Sequence, residues 1–199
     1  MKNTTKDKDI ARIAIPMCRL SFAKIFKPEG FGGSEENKKY SANFIMDNEK
    51  HKEIIAKFKS AINELLKEAK VKVTADKICL KDGASLDYDG YGEGVTYVSA
   101  SNSDKPSIVR LEAGRNALVS EEEAKEMGIL YSGCYVDGVI RIWVQNNKWG
   151  KRANASLEVV RFRKHGEPFG STVNVDDALD DIEIPEDELD SDMEDPMFG

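Results

Sequence analysis

The chain predicts a mainly β fold: a small antiparallel barrel with one long and one short inserted helix, followed by a disordered acidic tail. Three observations predict it. The elements run strands, long helix, strands, short helix, strands, without the strand–helix alternation of a doubly wound parallel sheet. The strands are short, mixed in length and separated by Gly-containing turns. The last 26 residues hold twelve of the 36 acidic residues and none of the 29 basic ones. Residues 1–173 therefore carry about +5 and residues 174–199 carry −12, so the acidic pI of the whole hides a mildly basic body.

The organisation expected is a flexible segment over 1–9, one domain over 10–173 and a tail over 174–199. Residues 1–9 are polar and charged with no apolar core behind them, so no signal peptide is expected. No run of 18 apolar residues exists, so no membrane span is expected. Cys18, Cys79 and Cys134 lie far apart without CxxC spacing, and His51 and His165 are isolated. That excludes a zinc site and a disulfide framework from the reading and fits reduced thiols in a cytoplasmic protein.

Residues 10–15 and 17–26 read as strands, the second burying Cys18, Leu20 and Phe22 on one face. Residues 39–46 read as a third. Over 49–69, Ile54, Ile55, Phe58, Ile62, Leu65, Leu66 and Ala69 recur at helical spacing, giving one amphipathic helix. Residues 71–111 read as strands and turns, with 87–92 a flexible loop exposing two tyrosines. That loop has Asp-x-Asp-Gly but no distal Glu at calcium-loop spacing, so no metal is assigned to it. Ser120 and Glu123 form a capping box that starts a short helix ending near Gly128. Residues 133–145 and 154–163 are the clearest strands, joined by a basic loop over 146–152 with Trp149 at its centre. An OB-fold fits this count and size.

The tail cannot pack. Its like charges repel, and Leu179, Ile182, Ile184 and Leu189 bury too little to offset the ordering entropy. A flexible arm of this length spans roughly 28 Å, against a body radius of gyration of about 16 Å. Its apolar tip, Met197-Phe198 after Asp192, Glu194 and Asp195, suits a short docking peptide for a shallow apolar pocket, beside the plainer reading of a solubilising tail.

Catalysis finds little support. Neither histidine has a nucleophile placed beside it in the sequence, and no cofactor or metal motif is present. Binding finds more. The cations Lys24, Lys27, Lys39, Arg110, Arg141, Lys148, Lys151, Arg152 and Arg163 are interleaved with Tyr40, Tyr91, Tyr97, Trp143 and Trp149. Cations neutralise phosphates and aromatic faces stack unpaired bases, so the mixture suits a single strand of nucleic acid. Phe22, Phe44 and Phe162 are assigned to the core instead. A homodimer is compatible with this reading. Two rivals stand beside it: a protein-interaction module whose acidic tail mimics nucleic acid, and a magnesium-dependent nuclease built on the body carboxylates.

The pieces Leu20-Ser21-Phe22, Lys39-Tyr40-Ser41, Asp82-Gly83, Gly133-Cys134-Tyr135, Gly150 and Gly166-Glu167 carry a resemblance. In this order and spacing, over most of residues 10–170, the chain resembles the phage-encoded single-stranded-DNA-binding proteins once classed as a domain of unknown function. The resemblance implies an OB-fold that coats single-stranded DNA without sequence preference. The tail is similar to those of bacterial and phage single-strand-binding proteins, departing from them by placing Gly199 after Phe198.

Overall fold

A computed structural model describes residues 12–30 and 34–170; the tail, including Asp192, Glu194, Asp195, Met197 and Phe198, lies outside the described residues. The chain separates into a compact unit, residues 1–169, and a second unit, residues 170–199. In the first, β1 (Arg12–Glu29) and β2 (Lys39–Asp47) are followed by α1 (Lys52–Glu68). Next come β3 (Leu80–Asp82), β4 (Val95–Asn102), β5 (Ser107–Glu112), β6 (Arg115–Leu118) and α2 (Glu121–Glu126). The long hairpin of β7 (Tyr135–Asn147) and β8 (Gly150–Lys164) completes the unit.

The eight strands form one sheet in the order β3-β4-β2-β1-β7-β8-β5-β6. The sheet curls until its β3 side meets β8. Ile78 bridges Ala153 in parallel, the Cys79 amide donates to Ala153 at 2.8 Å, and Ser99 of β4 donates to Cys79 at 3.0 Å. This short segment closes the barrel, which removes two edges that would otherwise be open to other chains. β5 and β6 extend outward from β8, with β5 and β8 parallel.

One parity of each strand fills the interior. Ile13, Ile15, Leu20, Phe44, Val98, Ile140 and Leu157 are fully buried there. α1 lays Phe58 and Ile62 onto the same core, which is where most of its stability comes from, since isolated helices of this length are marginal. Ser120 and Glu123 form the expected reciprocal cap of α2, at 3.1 and 2.7 Å. The three cysteines are buried, and burial pushes the Cys79 and Cys134 thiols up to about 11. Among the described residues no helix is long and apolar enough to cross a membrane.

Three local expectations are corrected. Residues 12–29 are one strand, not two. Pro16 sits at a register shift between Ile15 and Cys18, where Met17 takes a positive φ of 52° and its amide turns to Asp137 at 2.9 Å. A bulge tolerates a residue that cannot donate to the ladder. The same device overturns the burial of Phe22. Leu20 and Ser21 are both buried, the register slips between Ser21 and Lys24, and Phe22 at φ 46° is turned out to half exposure. Finally, the basic loop over 146–152 is zipped into the hairpin: Gln145 pairs Arg152, Asn146 pairs Lys151 and Asn147 pairs Gly150. Only Lys148 and Trp149 remain in the turn.

Candidate nucleic-acid interface

The outward parity of β4, β7 and β8 carries a different chemistry from the core. Trp143 and Gln145 on β7, Arg152 and Asn154 on β8, Ser101 on β4 and Lys39 at the start of β2 line one cleft of about 620 Å³. A second hollow adjoins it and shares Ser99, Ser101, Arg152 and Asn154, adding Lys81 and the ion pair of Lys77 with Asp76 at 3.1 Å. The first cleft is lined by polar side chains with Lys39 and Arg152 as its cations, and Trp143 on its wall is 41% exposed. Asn154 donates to Gln145 at 3.2 Å, fixing both amides on the wall.

At the end of this cleft stands the β7–β8 turn. The Asn147 carboxamide accepts from the Trp149 amide at 2.9 Å, a turn bond that aims the chain outward. Gly150 follows at φ 121°, a conformation that L side chains rarely adopt. Trp149 is left 77% exposed, with the Lys148 ammonium 5.1 Å from its ring. The ring is thus open to solvent and flanked by cations, and packs into no part of the core.

The structure divides the sequence-predicted cations into two sets. Arg141 shares Glu158 with Arg12, at 2.7 and 2.6 Å. Arg163 joins Arg161 on Asp137, at 2.8 and 2.6 Å. Arg110 meets Glu112 at 3.0 Å, Lys24 meets Glu29 at 3.0 Å and Lys27 meets Glu121 at 3.1 Å. None of these five lines the cleft. By contrast Lys39 and Arg152 in the cleft, Lys148 in the turn, and Lys151 next to Arg152 on the opposite parity of β8 make no ion pair with a carboxylate among the described residues.

The predicted aromatics also divide. Trp143 and Trp149 belong to the cleft and its turn, whereas Tyr40 is half-buried and packs against the core. Tyr97 is buried beneath Tyr91, their rings edge to face at 5.1 Å, and the Asn43 amide donates to the Tyr91 hydroxyl at 2.9 Å. Sequence reasoning missed Lys81, Ser99, Ser101, Gln145 and Asn154. Alternation on β4, β7 and β8 marks all but Lys81 as outward. Nothing local to Lys81 says that its segment bridges β4 and β8. Neither histidine approaches the cleft. His51 is buried with its ring nitrogens 2.9 and 3.2 Å from the Pro16 and Asp47 carbonyls, and His165 stacks on Tyr131 at 5.9 Å. No cluster of three metal-ligating side chains occurs among the described residues.

Known proteins can now be set beside this geometry. The family of the ssDNA-binding protein of Enterobacter phage Enc34 matches residues 11–190. A putative protein p50 of Acyrthosiphon pisum secondary endosymbiont phage 1 is 31% identical over 189 residues, covering 89% of this chain and 97% of its own. The solved single-stranded DNA-binding protein of bacteriophage Enc34, in complex with ssDNA, is 34% identical over 80% of this chain and 90% of its own, with a TM-score of 0.69. The single-stranded DNA binding protein gp2.5 of bacteriophage T7 shares the fold at 13% identity, over 87% of this chain and 98% of its own, with a TM-score of 0.50. The match over nearly the whole folded body, together with the shared OB-like barrel, places the chain in the family of the Enc34 phage ssDNA-binding protein.

Proposed function

We propose that this protein binds single-stranded DNA without base preference, in phage DNA replication, recombination or repair within the bacterial host cytoplasm. The observation that carries the reading is the cleft itself. The exposed Trp143 shares the cleft with Lys39 and Arg152, Trp149 and Lys148 stand at the adjoining turn, and these cations make no ion pair among the described residues, whereas Arg110, Arg141 and Arg163 are engaged by carboxylates. Bases stack on the indoles, each contact worth about 1–3 kcal/mol. Lys39, Lys148, Lys151 and Arg152 neutralise phosphates and release counterions. Ser101, Gln145 and Asn154 offer hydrogen bonds to the sugar–phosphate chain without demanding a particular base. The family is one of DNA binders rather than enzymes.

The acidic tail has two roles in this proposal. It competes with DNA for the cationic cleft, and its Met197-Phe198 tip recruits replication or recombination proteins when the arm is displaced.

The β7–β8 turn supplies the test. Trp149→Ala is expected to weaken oligo-dT binding by about 1–3 kcal/mol with an almost unchanged salt slope. Lys151→Ala with Arg152→Ala is expected to flatten the slope by about 1–2 units. A gel shift at several salt concentrations, with and without magnesium, measures both. Normal binding by the Trp149 variant together with lower stability would assign the ring a packing role. Magnesium-dependent loss of the oligonucleotide would favour a nuclease.

A further inference from the structure

We propose that Phe22, Tyr88 and Tyr91 form a second base-stacking station, and that a bound strand runs from it to the Trp143 cleft over the outer face of β2 and β4. The inference rests on the DNA-binding reading above and extends it to Phe22 and Tyr88, joining them to Tyr91.

Phe22 is the first observation. The bulge in β1 removes its ring from the core, and its backbone sits at φ 46°, a region that a bulky residue occupies only under strain. The ring is half exposed, so burial does not repay that strain. Strain kept in an exposed aromatic is characteristic of a ligand-contacting position.

The second observation is the company it keeps. Phe22 meets Tyr88 edge to face at 5.4 Å and Tyr91 at 6.2 Å, and the two tyrosines are 6.3 Å apart. Tyr88 is 58% exposed. Tyr91 is held from two sides, by the Asn43 amide on its hydroxyl and by the buried Tyr97 ring beneath. Its face is therefore oriented before any ligand arrives, which lowers the ordering cost of stacking.

The third is the ground between the stations. Asn43 pairs Ser99, and Ser41 pairs Ser101, which already lines the cleft. Small hydroxyl and amide side chains leave this stretch open, and Lys81 lies beside it, in register with Tyr97. From Tyr97 to Ser101 is four residues, about 13 Å of strand.

Full-length chains carrying Phe22→Gly or Tyr88→Ala test the inference by fluorescence titration with oligo-dT. Each is expected to weaken binding roughly fivefold to a hundredfold, with little change in salt slope. Glycine relieves the left-handed strain, so the thermal midpoint of Phe22→Gly is expected to stay within a few degrees of the parent. Ultraviolet cross-linking of a 5-bromodeoxyuridine oligonucleotide, read by mass spectrometry, is expected to mark Tyr88 or Tyr91 in addition to the tryptophans. Parent-like affinity in both variants, or cross-links confined to Trp143 and Trp149, overturns the second station and leaves the cleft standing. A parent chain that binds no oligo-dT overturns the binding reading and this inference together.

Discussion

A chain ending at Val173 is expected to bind oligo-dT more tightly than the full chain, by about tenfold or more at low salt, as befits the loss of a tethered polyanion. Residues 174–199 carry twelve acids and no base, and the body carries about +5. The cations at the cleft and its turn are without carboxylate partners among the described residues, so an arm within reach has somewhere to bind. The gap is expected to narrow as salt rises, because the Debye length falls to about 8 Å at 0.15 M and the arm loses its hold. The truncated chain is also expected to show the steeper salt slope, since its cations release small counterions rather than a covalently attached one. It is expected to lose part of its discrimination against duplex, because the arm screens purely electrostatic binding more effectively than stacking. Replacing the twelve acids by Asn and Gln is expected to reproduce the truncation. Replacing Met197 and Phe198 by Ala is expected to leave DNA affinity alone and to reduce any partner recruitment. Equal affinity with and without the arm at every salt concentration would end the competition model.

Asp137→Ala is expected to be the most destabilising single change away from the cleft. Its carboxylate is almost buried and accepts from Arg161, Arg163 and the Met17 amide, which ties the β1 bulge to β7 and β8. Removing one partner of a buried pair costs about 3–5 kcal/mol, and the lower end applies because both arginines are about one-third exposed. The acid limb carries a second signature. Burial pushes the Asp137 carboxyl up, but hydrogen bonds from Arg163, the Met17 amide and Arg161 outweigh it and hold the group below its ordinary value. A depressed native value means the stabilisation is complete above the unfolded-state value near 3.9 and is lost as pH falls through the folded one. Denaturant unfolding is therefore expected to show a wild-type stability that declines below about pH 4, and a variant less stable at neutral pH with a shallower acid decline. Asp137 lies six residues from Trp143, about 20 Å of strand, so the folded variant keeps its affinity for oligo-dT. Identical stability of the two proteins at pH 7 would contradict this role.

What could be read from the residues and what could not follow a physical division. Local patterns were legible: the alternation of Ile140, Ile142 and Val144, the helical spacing of Phe58 and Ile62, and the Ser120–Glu123 cap all came from neighbours within a few positions. Trp149 between basic residues was legible for the same reason. What depended on distant pairing was not. Arg110, Arg141 and Arg163 look as available as Lys151 in the sequence, and only the fold brings Glu158 to Arg141 and Asp137 to Arg163. Lys81 reaches the cleft side because Ile78 and Cys79 bridge β4 and β8, a contact spanning more than seventy residues. Phe22 failed for a subtler reason. A single bulge inverts the face of every residue after it, and period-two alternation carries no mark of where the bulge falls.

The chain has two tryptophans, and both stand on the proposed interface, so intrinsic fluorescence reports on it directly. Titration of the full-length protein with oligo-dT, and with duplex of the same length, at several salt concentrations tests the central claim. The expected result is strong quenching by the single strand as bases cover Trp143 and Trp149, with duplex bound more weakly and lost first as salt rises. Equal affinities for the two forms, or binding that leaves the fluorescence of both tryptophans untouched, would contradict it.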